Sequence, residues 1–111
     1  SDIRDTGATI GVNSLLWRAS LDTISFMPLD EADPYGGVIM TEWYNNPNNL
    51  NERYKITIYI LDTRLRADAV RVSLFMQQYK NGEWVNISTS DETRLQLENS
   101  ILTKARQMKQ E

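Results

Sequence analysis

The dipeptide Asn81-Gly82 constrains this chain more than any other feature. Both residues tolerate the positive φ that a two-residue type I′ turn demands, and alternating apolar and polar residues flank them. The turn predicts an antiparallel hairpin and fixes its register. Lys80 pairs with Glu83, Tyr79 with Trp84, Gln78 with Val85 and Met76 with Ile87. Successive strand side chains point to opposite faces. Val70, Val72, Leu74 and Met76 therefore share an inner, core-facing row with Val85 and Ile87. Arg71, Ser73, Phe75, Gln77 and Tyr79 share an outer row with Trp84.

The rest of the chain supplies layers for this hairpin. Arg53 to Asp62 alternates in the same way, with Tyr54, Ile56, Ile58 and Ile60 on one side and Arg53, Lys55, Thr57 and Tyr59 on the other. Val38 to Tyr44 reads as another strand. Asp33-Pro34-Tyr35-Gly36-Gly37 is a turn by its chemistry, because proline presets φ and glycine accepts positive φ. Phe26 to Leu29 reads as a short extended segment, since the residue before Pro28 avoids the helical region. Asn45 to Asn51 reads as a polar loop. A helix is expected from about Asn13 to Ser25, with Leu15, Leu16 and Ala19 in its apolar stripe and Trp17 and Arg18 flanking it. A second is expected from about Asp91 to Lys109. Thr89 and Glu92 are spaced as a capping box, and the stripe is Leu97, Ile101, Ala105 and Met108.

At 111 residues the chain fits one domain. Residues 1–9 read as a loose lead-in and residues 10–109 as an α-β-β-β-β-α core. One apolar stripe per helix and one apolar sheet face give an α+β two-layer sandwich. Its N- and C-terminal helices pack on one face of an antiparallel sheet of three to five strands.

Composition narrows the chemistry. There is no Cys and no His, which removes thiolate nucleophiles, His-based triads and thiolate zinc sites. Net charge is −3 with basic residues scattered, which argues against nucleic acid as a partner. No apolar run reaches the ~18 residues of a membrane span. Asp30, Glu31 and Asp33 lack the ordered spacing of a calcium loop and read as an acidic turn, so no metal is expected. Gly7 to Gly11 lacks the Lys-Ser/Thr of a phosphate loop. Paired carboxylates for acid–base work lie in turns and on exposed positions, so neither an enzyme nor a cofactor is expected.

Two surfaces remain. The outer row of Tyr59, Arg71, Phe75, Tyr79 and Trp84 combines aromatics with arginine, the usual content of a protein-binding face; the same side chains could merely cover the sheet. Alternatively, Trp17, Met27, Met40 and Trp43 could line an apolar cleft between helices and sheet that carries a small ligand or lipid.

The series Gly11-Val12-Asn13-Ser14-Leu15-Leu16-Trp17-Arg18-Ala19-Ser20-Leu21-Asp22, then Ser25-Phe26-Met27-Pro28-Leu29, then Gly36 to Tyr44, then Arg64 to Val72 resembles the family called domain of unknown function 3576, predicted lipoproteins of Gram-negative bacteria. The resemblance implies a cleaved signal peptide and an acylated cysteine upstream of Ser1. It places the domain on the periplasmic side of the envelope, attached to a membrane only through that anchor. Gly37-x-Ile39-x-Thr41-x-Trp43 and Arg53-Tyr54 are similar to the repeated domains of the BamC lipoproteins of the outer-membrane barrel-assembly machinery. Those are helix-grip folds, in agreement with the two-layer arrangement. The expected function is a non-catalytic envelope interaction or scaffolding domain with a protein partner.

Overall fold

A computed structural model describes residues 10–111; the expectation for residues 1–9 lies outside these. Among the described residues, two helices and six strands follow in the order α1 (Ser14–Thr23), β1 (Leu29–Asp33), β2 (Val38–Thr41), β3 (Tyr44–Asn46), β4 (Asn49–Ile60), β5 (Val70–Lys80), β6 (Glu83–Ile87) and α2 (Asp91–Lys109), with a short 3₁₀ turn at Ala67–Ala69 before β5. The sheet is antiparallel in the order β1-β2-β4-β5-β6. β3 pairs with the first half of β4, on the edge that β2 occupies further along. The α+β class stands, with one strand more than expected.

That extra strand comes from the asparagine-rich segment. Asn45 pairs with Arg53 and Asn46 with Asn49, so the expected loop is a hairpin and β4 begins at Asn49. The expected strand from Val38 to Tyr44 breaks at Glu42–Trp43. The break is satisfied rather than strained. The Ile56 amide donates to the Thr41 hydroxyl (2.9 Å), and the Glu42 amide donates to the Pro28 carbonyl (2.9 Å). The extended segment expected at Phe26–Leu29 becomes β1 only from Leu29 onward.

The Asn81-Gly82 turn forms as its chemistry requires, with φ of 52° and 86°. All four expected pairs across it are present. β4 and β5 pair without interruption from Glu52↔Gln78 to Ile60↔Val70. Gly37 has φ of 75°, and a Cβ there would meet the Ile60 carbonyl oxygen at 2.5 Å. Only glycine allows this approach, which lets the Ile60 amide donate to the Gly37 carbonyl at 2.8 Å.

Both helices close one face of the sheet. Leu16, Trp17, Ala19, Ile101, Leu102 and Ala105 form one cluster with Ile39, Ile56, Ile58, Ile60, Val70 and Val72. Asn13 caps α1, its Oδ1 accepting from the Leu16 amide at 2.9 Å. The same side chain donates to the Thr63 carbonyl, which ties the helix start to the β4–β5 connection. Trp17 does not flank the stripe; it is fully buried, because α1 packs against α2 as well as the sheet. α2 has the expected bounds, but its N-cap is Ser90, whose side chain makes no capping hydrogen bond among the described residues. Lys104 of α2 pairs with Asp22 of α1 at 2.7 Å. Glu98 accepts from the Val72 amide at 2.9 Å, covering the β5 edge that β6 is too short to reach.

The helices do not cover the whole sheet. The longest dimension of the protein is 49 Å, and the 12-residue β4 alone spans about 40 Å. Ile58, Ile60, Val70 and Val72 are buried, whereas Tyr54 and Met76 are half-buried. Val85 and Ile87 take the inner side, as the register requires, but they do not join the core. Val85 is 39% exposed because β6 lies beyond the reach of the helices.

Candidate functional site

The projecting end of the sheet presents two different surfaces on its two sides. On the outer side Arg53 is the centre. It pairs with Gln77 across the β4–β5 ladder, and its Nε and Nη2 donate to Gln77 Oε1 at 2.8 and 2.6 Å. Gln77 in turn donates to Asn86 Oδ1 at 2.9 Å, so one hydrogen-bonded row crosses three strands. The guanidinium lies between two indoles, 4.6 Å from the Trp43 ring centre and 4.1 Å from that of Trp84. Tyr79 meets Trp84 edge-on at 5.3 Å, and the Lys55 ammonium stands 5.6 Å from the Trp43 ring centre. Each contact satisfies the geometry of a cation–π or edge-to-face pair.

The expected outer set of Tyr59, Arg71, Phe75, Tyr79 and Trp84 lies on this side. Tyr59 pairs with Arg71, Phe75 with Lys55, and Tyr79 with Trp84. Phe75 is 51% exposed and Tyr79 46%. Beside Phe75, a depression of about 580 Å³ is floored by Met40, Trp43 and Thr57. By register the outward residues of β3 to β6 include Arg53, Lys55 and Arg71 and no carboxylate. The acids Glu31 and Asp33 sit on the far edge strand. Asp33 has a local role there, accepting from the Tyr35 and Gly36 amides at 3.0 Å.

On the inner side an open cleft of about 600 Å³ lies between α2 and the projecting strands. Met27, Ile56, Leu74, Met76 and Leu97 supply apolar lining. Phe26 and Tyr44 meet edge-on at 5.2 Å beside it. Tyr54 also lines it, and its hydroxyl donates to Glu52. Asn46 donates to both, at 3.0 Å to Glu52 and 3.3 Å to Tyr54. The Tyr54 and Asn46 hydrogen bonds hold the Glu52 carboxyl below its ordinary range. The same carboxylate, with burial, pushes the Tyr54 phenol up.

The four residues expected to share a cleft are therefore separated. Met27 lines the inner cleft, Met40 and Trp43 line the outer depression, and Trp17 lies in the core. The Trp17 indole N–H has no hydrogen-bond partner among the described residues. Sequence reasoning did not nominate Arg53, Gln77 or Asn86. The signal was the outward parity of Arg53 in its strand, but its partner row depends on a β4–β5 register that no turn signature fixes.

Comparison with known proteins bears out the family resemblance. An uncharacterised protein of Rickettsia prowazekii (strain Madrid E) is 45% identical over 95 residues, which is 86% of this chain and 57% of the relative. The chain thus spans little more than half the length of that relative. The likeness to BamC rests on sequence pattern alone. The model of the family described as Domain of unknown function (DUF3576) matches residues 10–110, and the chain belongs to that family.

Proposed function

We propose that this domain is a non-catalytic protein-binding module that docks its partner on the outer face of β4–β6. The observation that carries this reading is Arg53 stacked between Trp43 and Trp84 on a face that no helix covers among the described residues. Stacking and the Gln77 hydrogen bonds have already fixed these side chains. Binding there costs less ordering entropy than it would on a loose surface. Tryptophan, tyrosine and arginine are the side chains that most often carry interface energy. The charged outward residues, Arg53, Lys55 and Arg71, are all cationic and select a partner surface with carboxylates between apolar anchors. The resemblance to predicted lipoproteins supports a lipid-anchored position on the periplasmic side of the envelope.

A photo-crosslinking residue placed at Phe75 of the full-length anchored protein tests the reading. A single protein should be captured from Phe75, not from the exposed α1 position Arg18, and Tyr79→Ser should abolish that capture while the fold is retained. Equal capture from both positions would contradict the proposal. So would tight, salt-sensitive binding of a single-stranded oligonucleotide by the Arg53–Lys55 row.

A further inference from the structure

We propose that the inner cleft is a second, separate site that binds one hydrocarbon chain of a lipid whose head is uncharged. The inference stands apart from the outer-face reading and rests on three features.

The first is charge. Among the described residues, fourteen line the cleft and none is Asp, Glu, Lys or Arg. A lining drawn at the 24% charged fraction of this chain would include about three. A carboxylate inside would find no counter-ion, and an ammonium would meet only the Glu52 carboxylate behind the wall, already engaged by Tyr54 and Asn46, so desolvation disfavours a charged ligand. The second is the division of the lining. Aliphatic and methionine side chains lie along the sheet and the inward side of α2, and methionine adapts readily to a flexible chain. Ser88, Thr93, Gln96 and Ser100 line the α2 side with hydroxyl and amide groups. These suit an ester or alcohol head. The third is size. The volume of about 600 Å³ lies within the ~300–1,000 Å³ of small-molecule sites. A helix 10–12 Å across would fill it within about one and a half turns, too short a seat for an amphipathic partner helix.

The cleft is also held open. α2 packs closely further along the sheet, where Glu98 bonds the Val72 amide. At the cleft, Glu52 and Asn46 anchor the Tyr54 hydroxyl and so fix its ring at the wall. The ring is kept from swinging into the space that a chain would occupy.

The test is a titration of methyl-labelled methionine with three single-chain probes, each below its micelle concentration: monodecanoylglycerol, decanoate and decyltrimethylammonium. The neutral probe should give a saturable shift of the Met27 and Met76 methyls. The Met108 methyl should stay still, and the charged probes should bind at least tenfold more weakly. Ser100→Trp narrows the cleft from an exposed helix position and should weaken neutral binding at least tenfold. Met76→Glu places a charge in the lining and should do the same. If Met76→Glu does not fold, Ser100→Trp decides. Equal binding of all three probes, no saturable Met27 shift, or a Met27 shift that follows protein concentration alone would overturn the proposal. The last result would mean that a second copy fills the cleft. Met27 and Ser100 line the inner cleft and not the outer depression, so their outcomes do not bear on capture from Phe75 and the two sites stand or fall separately.

Discussion

The two faces of the β4–β5 hairpin are built from alternating residues of the same strands, yet they are closed in different ways. Inward, Ile58 and Val72 lie under two helices and are buried by a second layer. Outward, among the described residues, no layer covers Tyr59, Arg71, Phe75 and Tyr79, and the side chains are held only by their own neighbours, with Phe75 and Tyr79 about half-exposed. Arg53 donates to Gln77 between two indoles, and Thr57 is 7% exposed at the floor of a depression. The comparison teaches that a single-layered sheet face can be ordered without being core. The inner face gains stability from burial; the outer face gains order from stacking and stays available to a partner.

The largest effect should separate the faces at neighbouring positions. Ile58→Ala removes a fully buried side chain and should cost about 2–5 kcal/mol in urea unfolding. Phe75→Ser, on the other side of the same ladder, should stay within about 0.5 kcal/mol. A comparable cost at Phe75 would make the outer aromatics core and break the comparison.

Next in size is Arg53→Met. It removes two cation–π contacts and leaves Gln77 without its donor, an expected loss of about 1–2 kcal/mol. The Trp84 indole should become more mobile, as tryptophan fluorescence anisotropy would show. Smaller still is Lys104→Met. Its ammonium is held protonated above the ordinary lysine range by Asp22, but both partners are more than two-fifths exposed. The pair should contribute the least of the three and lose most of that contribution at high salt.

The subtlest prediction concerns pH at the cleft wall. Glu52 is shifted down by Tyr54 and Asn46, so its contribution is present above the ordinary carboxylate range and is lost as pH falls through its lowered value. Tyr54 is shifted up by Glu52, so its contribution is present below the ordinary phenol value and is lost as pH rises through its raised one. Wild type minus Glu52→Gln stability, measured by urea melts, should be greatest between about pH 5 and 9 and should shrink on either side. A difference that does not change with pH would mean that the Glu52–Tyr54 bond has no energetic weight.

Much of the architecture could be read before any coordinates. Asn81-Gly82 dictated a register that the structure reproduces pair by pair, and α2 runs between the ends expected for it. What stayed hidden depended on contacts distant in sequence. Residues 61–69 between β4 and β5 carry no turn signature, so nothing local says that Arg53 reaches Trp84 across an intervening strand. Asparagine disfavours strands in isolation, and only the β4 edge makes one of Tyr44–Asn46. A single-stripe reading of α1 assumes one contact surface, whereas Trp17 is enclosed because the helix has two. The cleft arises because the strands outrun the helices, a mismatch of lengths that no motif records.

The central claim is that the outer face is ordered by its own stacking before any partner arrives. The most direct measurement is the NMR order parameter of the three tryptophan indole N–H groups in the free protein. Trp17, fully buried, is the internal reference. If the claim holds, Trp43 and Trp84 match it at roughly 0.85. Values below about 0.6 at Trp43 and Trp84, with Trp17 still rigid, would contradict it.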